Sequence, residues 1–271
     1  MSTVRLKLLA ATLLAATFPA SVWAPNGYFT HGVSILDNGL AGAGAAYSQD
    51  TLAAANNPAG MVWQGKRYDL GLTWFSPRRK YSSKGGPAAP VGAPCGANCP
   101  FSIGDGDQSI DSENESFLIP SFGYNWMLGG GDSSIGISLY GNGGMNTEYK
   151  GGVALLGPTG TQAEFPGTYG DGTAGIDLAQ MFIATTYAAK LSPTSSWGNS
   201  GIIASQRVEA PGLANCGGFS QDPGNLSAND YETSRGIGVR FGYQAEISPG
   251  FRFGASYQPK IQMSEFDDDS G

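Results

Sequence analysis

The chain has 271 residues, of which 14% are charged and 42 are glycine. This composition disfavours a protein built from long helices, and an aromatic content of 11% disfavours intrinsic disorder. The formal net charge is −7, which argues against nucleic acid as a partner.

The first 24 residues have the pattern of a cleavable secretion signal. Arg5 and Lys7 form a positive start, an apolar run follows over 8–18, and Val22 and Ala24 are small residues suited to a cleavage site. This run of about eleven residues is too short to cross a bilayer as a helix, which needs roughly 20 residues. Pro25 is poorly placed directly after a cut, so the exact cleavage position stays open.

The next segment, 25–63, is polar, rich in glycine and alanine, and poorly periodic. Pro58 ends any helix that begins near Thr51, and it favours an extended backbone at Asn57. Because the Asn57 side chain both donates and accepts, we expect it to fix this segment to its surroundings. A simple helix-ending turn is the alternative interpretation.

Alternation of apolar and polar residues dominates the remainder, 64–271. Val239 and Phe241 alternate with Arg240, and the series from Phe251 continues through Ile261 and Met263 on the same side. Such a period of two places one set of side chains on each face of a sheet. The predicted strands are 67–78, 115–127, 134–149, 176–191, 198–209, 236–247 and 251–264.

The links between these strands alternate in length. Those near 127–132, 192–197 and 248–250 are short, whereas 81–114, 150–175 and 210–233 are long and rich in Gly, Pro, Asn and Asp. Transmembrane β-barrels have this arrangement because their periplasmic turns are short and their extracellular loops long. The pattern therefore predicts an antiparallel membrane barrel rather than a secreted β-sandwich.

Residues 26–61 resemble the N-terminal hatch of the FadL/TodX family of outer-membrane fatty-acid and hydrocarbon channels. Asn57-Pro58-Ala59 matches that family's Asn-Pro-Ala motif, here extended by Gly60, and 196–213 and 236–267 are similar to its barrel strands. The resemblance implies an all-β, fourteen-stranded barrel with a hatch in its lumen. It also implies passive capture of hydrophobic compounds outside and sideways release through the barrel wall.

In that family the side opening is associated with a kink in the third strand. Here the third predicted strand contains Gly141, Asn142, Gly143 and Gly144 at its middle. Glycine inside a strand weakens pairing and often marks a bulge or a bend, so these residues are the candidates for the opening. The alternative is that they only relieve crowding against the hatch.

The sequence contains no recognisable catalytic or metal-binding motif. A single histidine and the lack of a Gly-x-Ser-x-Gly elbow predict a protein that is not an enzyme and needs no cofactor or metal. Cys95 and Cys99 lie in a Gly/Pro-rich link where they could form a disulfide, which leaves Cys216 without an assigned partner.

The leading hypothesis is therefore an outer-membrane channel for long-chain fatty acids or other hydrophobic compounds. As the resemblance implies, it would be a monomer surrounded by membrane lipid and lipopolysaccharide. A general porin for small polar solutes and a surface adhesin are the alternatives. Only about half of fourteen strands are found, and an unpaired barrel edge is costly in lipid, so we expect 64–271 to be the N-terminal half of a longer barrel.

Overall fold

The structure is a computed structural model and describes residues 30–83, 101–103, 108–156, 163–221, 224, 226 and 228–266. The predicted signal peptide and the proposed Cys95–Cys99 pair lie outside these residues. Within the described ranges, no helix is both long enough and apolar enough to cross a membrane.

Half of the described residues form one antiparallel sheet of eight strands, here called the main sheet. Its strands are β1 (Arg67–Phe75), β5 (Phe117–Leu128), β6 (Ser133–Tyr149), β9 (Ala174–Ser192), β10 (Ser195–Ala210), β11 (Ala228–Ser248), β12 (Phe251–Tyr257) and β13 (Gln262–Met263). Their order is β1-β5-β6-β9-β10-β11-β12, with β13 paired to β11. The predicted antiparallel β fold is confirmed. Over the described residues the sheet is not closed, since β1 and β12 each have one neighbour.

Short and long connections lie at opposite ends of the main sheet. Two-residue links at 193–194 and 249–250, and a four-residue link at 129–132, join neighbouring strands at one end. At the other end, the long links contain two small sheets rather than loop alone. Their strands are β2 (Lys80–Ser83) with β4 (Gln108–Asp111), and β3 (Phe101–Ile103), β7 (Val153–Leu156) and β8 (Ala163–Pro166).

One face of the main sheet exposes a continuous band of apolar side chains. The members of this outer face include Tyr68, Leu70, Leu72, Trp74, Ile203, Ile237, Val239, Phe241, Tyr243, Ile247, Phe251 and Phe253. On β11 the band extends from Ile237 to Ile247, about 33 Å along a strand at roughly 3.3 Å per residue. At a tilt of about 40° this is roughly 25 Å measured along the barrel axis, the height of a membrane-facing band.

The sequence alternation fails after Tyr257. Ile261 and Met263 were expected beside Phe251 on the outer face, but β12 ends at Tyr257 and both residues line a cavity on the inner side. Pro259 explains the difference, because it has no N–H to donate and is excluded from the middle of a sheet. The chain then leaves the sheet and returns as β13 against β11.

Residues 30–64, here called the N-terminal segment, pack against the inner face. The segment contains helix α1 (Ile35–Gly39) and two 3₁₀ helices, Ala53–Ala55 and Pro58–Trp63. The core of the structure lies between this segment and the sheet. It comprises Ala53, Ala54, Ala55, Met61 and Val62 from the segment and Tyr140, Ala184, Ala188 and Ile202 from the sheet.

Candidate functional site

The Asn57-Pro58-Ala59-Gly60 motif lies buried on the inner face of β11. Asn57 has the extended backbone that a following proline favours (φ −147°, ψ 106°), and Pro58 is the first residue of the second 3₁₀ helix. The Asn57 side chain donates to the carbonyl oxygens of Ala45 at 2.7 Å and Tyr243 at 2.9 Å. Its Oδ1 accepts from the Ala59 N–H at 3.1 Å, so one fully buried amide joins three stretches of chain.

Two glycines of the sheet make room for this motif. Gly198 on β10 and Gly242 on β11 are directly opposite each other in the ladder. A Cβ added at Gly242 would lie 2.0 Å from Asn57 Oδ1, and one at Gly198 would lie 2.6 Å from the Pro58 carbonyl carbon. Glycine in these strands therefore marks close approach of a second backbone.

Further hydrogen bonds attach the N-terminal segment to other strands. Ser138 on β6 donates to the Thr51 carbonyl at 2.6 Å, and Ser196 on β10 donates to the Ala59 carbonyl at 2.8 Å. Asn125 on β5 donates to the Met61 carbonyl at 3.0 Å. Together with the bond from Asn57 to β11, these bonds attach the segment to four strands of the main sheet, namely β5, β6, β10 and β11.

The segment also buries a carboxyl group. The Asp50 side chain accepts from the Leu52 N–H at 2.9 Å, and the residue is 6% exposed. Burial raises the pKa of Asp50 above its ordinary value of 3.8, because the ionised form loses contact with water. The nearby carboxylates of Asp69 and Asp37 act in the same direction.

The glycine-rich part of the third long strand, β6, contains a bulge. Its register against β9 shifts between Gly143 and Met145, so Gly144 is the extra residue. Pairing between β6 and β5 ends nearby, at Ser121 opposite Tyr140. Pro120 precedes that last pair, and proline in a strand is confined to positions where no ladder bond is needed.

Beyond this pair β5 and β6 are no longer joined, and the residues that precede β5 bond to β6 again. The Glu113 N–H donates to the Glu148 carbonyl at 2.8 Å, and the Glu148 N–H donates to Ser112 Oγ at 3.0 Å. The Arg79 guanidinium also donates to the carbonyl of Asn146. The gap between 114–120, which lead into and begin β5, and 141–147 of β6 is here called the window, and these bonds bound it at both ends.

A cavity of about 390 Å³ lies at the window. Its apolar lining includes Phe117, Ile119, Leu178 and Met181, and its polar lining includes Asn146, Asp177 and Arg207. Ile119 approaches the backbone of Gly141 so closely that a Cβ there would lie 3.1 Å from the Ile119 methyl group.

A larger cavity of about 600 Å³ lies between the N-terminal segment and the sheet. Its lining comes from the segment (including Val33), from β6, β9, β10 and β11, and from the stretch 258–263. Gly141, Asn142 and Gln180 line this inner cavity and the window cavity alike, so the two adjoin at the glycine-rich stretch of β6.

The structure joins the sequence candidate Asn142 to two further residues that the sequence analysis missed, Gln180 and Gln206. Asn142 donates to Gln180 at 3.0 Å, and Gln180 donates to Gln206 at 2.9 Å, which forms a row of amides across β6, β9 and β10. The same three residues are direct cross-strand partners, so the row becomes visible only when strand register is known. Pro120, in contrast, was available in the sequence as a signal for interrupted pairing.

In the described part of the chain, no group of three His, Cys, Asp or Glu side chains is arranged to hold a metal ion. Cys216, in a 3₁₀ helix of the last long link, is a free thiol whose pKa is raised by burial.

This architecture is similar to that of known proteins in structure but not in sequence. No protein-family model matches the chain, and no curated protein sequence matches it. Among solved structures, the toluene transporter TodX of Pseudomonas putida aligns with 86% of this chain and 57% of its own, at TM-score 0.58 and 15% identity. A Pseudomonas aeruginosa FadL homologue aligns with 87% of this chain and 53% of its own, at TM-score 0.54 and 16% identity.

The CymD monoaromatic hydrocarbon channel gives a similar result, with TM-score 0.52, 15% identity, and coverage of 87% of this chain and 55% of that one. An antiparallel sheet with an apolar outer face and an N-terminal segment packed against its inner face is a β-barrel type of fold, with a sheet that stays open over the described residues. More particularly, the chain has the FadL/TodX-like fold, and it spans little more than half the length of these structures. TodX is described as a transporter, CymD as a channel, and the third structure as a FadL homologue.

Proposed function

We propose that this chain is part of a bacterial outer-membrane channel for passive uptake of hydrophobic compounds, namely long-chain fatty acids or hydrocarbons. In this proposal residues 1–24 are the export signal, 25–63 are the hatch, and 64–271 belong to the barrel wall. Compounds captured on the outside reach the inner cavity and leave sideways through the window.

The observation that carries the proposal is the position of the window. It is the place where β5 and β6 separate, before the residues that precede β5 bond to β6 again, and it adjoins the inner cavity at Gly141 and Asn142. Its apolar lining provides a low-energy path for a hydrocarbon chain, since burial of apolar surface contributes about 25 cal/mol per Å². The outer end of that path is the apolar outer face, where lipid would lie.

The attachment of the N-terminal segment favours sideways rather than axial passage. Movement through the segment would require breaking buried bonds from Asn57, Ser138 and Ser196, each costing about 1–3 kcal/mol when a partner is left unsatisfied. The window requires no such rupture. A general porin would need an open lumen, and the packed N-terminal segment argues against that function.

The proposal is tested by uptake of labelled oleate and toluene into cells that produce the protein, compared with cells that do not. A Gly143→Val, Gly144→Val double variant should straighten β6 at the bulge and reduce uptake towards the background level, because β-branched residues favour a regular extended strand. Gly201→Val on β10 is the matched control, because nothing lies within 4 Å of a Cβ added there.

Insertion of each variant is verified by heat-modifiable migration of the folded protein on gels. Normal uptake by a correctly inserted double variant would remove the role of the window. Absence of uptake by the inserted wild-type protein would remove the channel function itself.

A further inference from the structure

Two exposed arginines lie together on the outer face, directly beyond its apolar band. Arg235 is two residues from Ile237 on β11, and Arg207 is four residues from Ile203 on β10. Even spacing along a strand places each arginine on the same face as these exposed isoleucines. Both arginines lie towards the long links, which in a membrane barrel are at the extracellular end.

The strand register makes the two arginines neighbours across β10 and β11. Arg207 pairs with Thr233, and Arg235 pairs with Ser205, so the arginines are diagonal neighbours on one face. Diagonal neighbours in an antiparallel ladder are roughly 7–8 Å apart, which long side chains can span. Two like charges at this spacing repel each other, and an anion bound between them replaces that repulsion by two attractive contacts.

Within the described residues, neither of these arginines is neutralised by an ion pair. The cations that do form ion pairs there are Arg67, Lys150, Lys190 and Arg252. Two carboxylates on the outer face, those of Asp177 and Glu209, are opposite each other in the ladder and lie farther out than Arg207. Asp177 already accepts from the Tyr231 hydroxyl at 2.7 Å and from Asn146. No carboxylate therefore occupies the ladder positions between the two arginines.

Tyr231 orients the side chain of Arg207. The guanidinium carbon of Arg207 lies 4.4 Å from the centre of the Tyr231 ring, which is the distance of a cation–π contact. The bond from the Tyr231 hydroxyl to Asp177 fixes that ring in turn. A guanidinium stacked on a ring keeps the N–H donors in its own plane for a ligand, and a phosphate accepts from such a fork in bidentate geometry.

The surface thus combines a paired positive charge with an adjoining apolar band, which suits a lipid with a phosphate in its head group. Lipid A, the membrane anchor of lipopolysaccharide, has this chemistry and forms the outer leaflet of bacterial outer membranes. We propose that Arg207 and Arg235 bind a phosphate of lipid A, while its acyl chains lie against the apolar band of the outer face. This site goes beyond the proposed uptake function and shares with it only the outer-membrane location. Because Arg207 also lines the window cavity, the bound lipid borders the window.

The test measures equilibrium binding of radiolabelled lipid A to the purified protein in nonionic detergent, beside the same lipid with its phosphates removed. The wild type should bind the phosphorylated lipid about tenfold more tightly, a difference of about 1.4 kcal/mol. The double variant Arg207→Gln, Arg235→Gln should remove this preference, and each single variant should reduce it to about threefold. Binding of the dephosphorylated lipid should stay within about twofold in all variants, because the apolar band is unchanged.

Lys66→Gln is the control, because it removes an exposed charge beside β1 at the end of the sheet that carries the short links, and it should leave both affinities unchanged. The comparison of the two lipids on the wild type needs no variant, so the test stands even if a variant assembles poorly. Equal binding of both lipids by the wild type would overturn the proposal, as would an unchanged preference in the folded double variant. Equally tight binding of phosphatidylglycerol would overturn the assignment to lipid A. Uptake of oleate and toluene is measured separately, so failure of this site leaves the channel function intact.

Discussion

Replacing Asn57 by alanine tests what holds the N-terminal segment in place. The change removes the donations to Ala45 and Tyr243 and the acceptance from the Ala59 N–H. At roughly 1 kcal/mol per bond the loss is about 3 kcal/mol, rising towards about 5 kcal/mol if the buried carbonyls stay unpaired. We therefore expect the segment to open locally while the main sheet remains folded.

Hydrogen exchange measured by mass spectrometry provides the assay, because local opening sets the exchange rate of protected amides. A loss of about 3 kcal/mol corresponds to roughly a hundredfold faster exchange across the 3₁₀ helix Pro58–Trp63, since each 1.4 kcal/mol is a factor of ten. Amides of β9 and β10 should keep their wild-type rates.

Asn38→Ala is the matched control, since Asn38 belongs to the same segment but is exposed. It should change exchange by no more than about twofold, as surface substitutions usually stay within 0.5 kcal/mol. An equally small change for Asn57→Ala would refute the reasoning and show that apolar packing alone secures the segment.

Three further outcomes are expected. Gly242→Ala should displace Asn57 and raise the hydrogen-exchange rate of the segment, because the new Cβ would lie 2.0 Å from Asn57 Oδ1. Gly201→Ala is the control and should leave that rate unchanged, because nothing lies within 4 Å of a Cβ added there. Val239→Arg should reduce heat-modifiable folded barrel on gels, as a lipid-facing arginine costs about 2–4 kcal/mol, and normal assembly would contradict the outer-face assignment. Burial raises the pKa of Asp50 above its ordinary value of 3.8, so ionising this carboxyl group destabilises the folded segment. The stability of the segment therefore falls as pH rises above 3.8, and it recovers when Asp50 is protonated at lower pH. Asp50→Asn should therefore slow exchange of the segment near neutral pH and weaken its pH dependence, and unchanged exchange at both acidic and neutral pH would refute this.

The strand at 236–247 was predictable because apolar and polar residues alternate along it, whereas the earlier strands alternate less clearly and were predicted from their similar length and order. Val239 and Arg240 face opposite sides as their polarity requires, and Arg240 does point inward to Ala54. The prediction failed at Ile261 because alternation was extended through Pro259, where a strand cannot continue. Local backbone chemistry there overrides the hydrophobic pattern.

The site was less predictable, since its parts are distant in sequence. The extended backbone of Asn57 follows from Pro58, but its partner Tyr243 does not follow from any local pattern. The pairing of Gly198 with Gly242 depends on strand register, and register is set by the whole sheet. Residues that act together here become neighbours only when the ladder is assembled.

The tethers of the N-terminal segment impose an order on assembly. The hydrogen-bond partner of Thr51, Ser138, lies 87 residues later in the chain. The partner of Ala59, Ser196, lies 137 residues later, and the partner of Asn57, Tyr243, lies 186 residues later. Closing such distances is slow, so the part synthesised first must take its final place after β11 has formed. A stretch rich in glycine and alanine suits that delay, because it has little tendency to pair as a strand with the newly made sheet in the meantime.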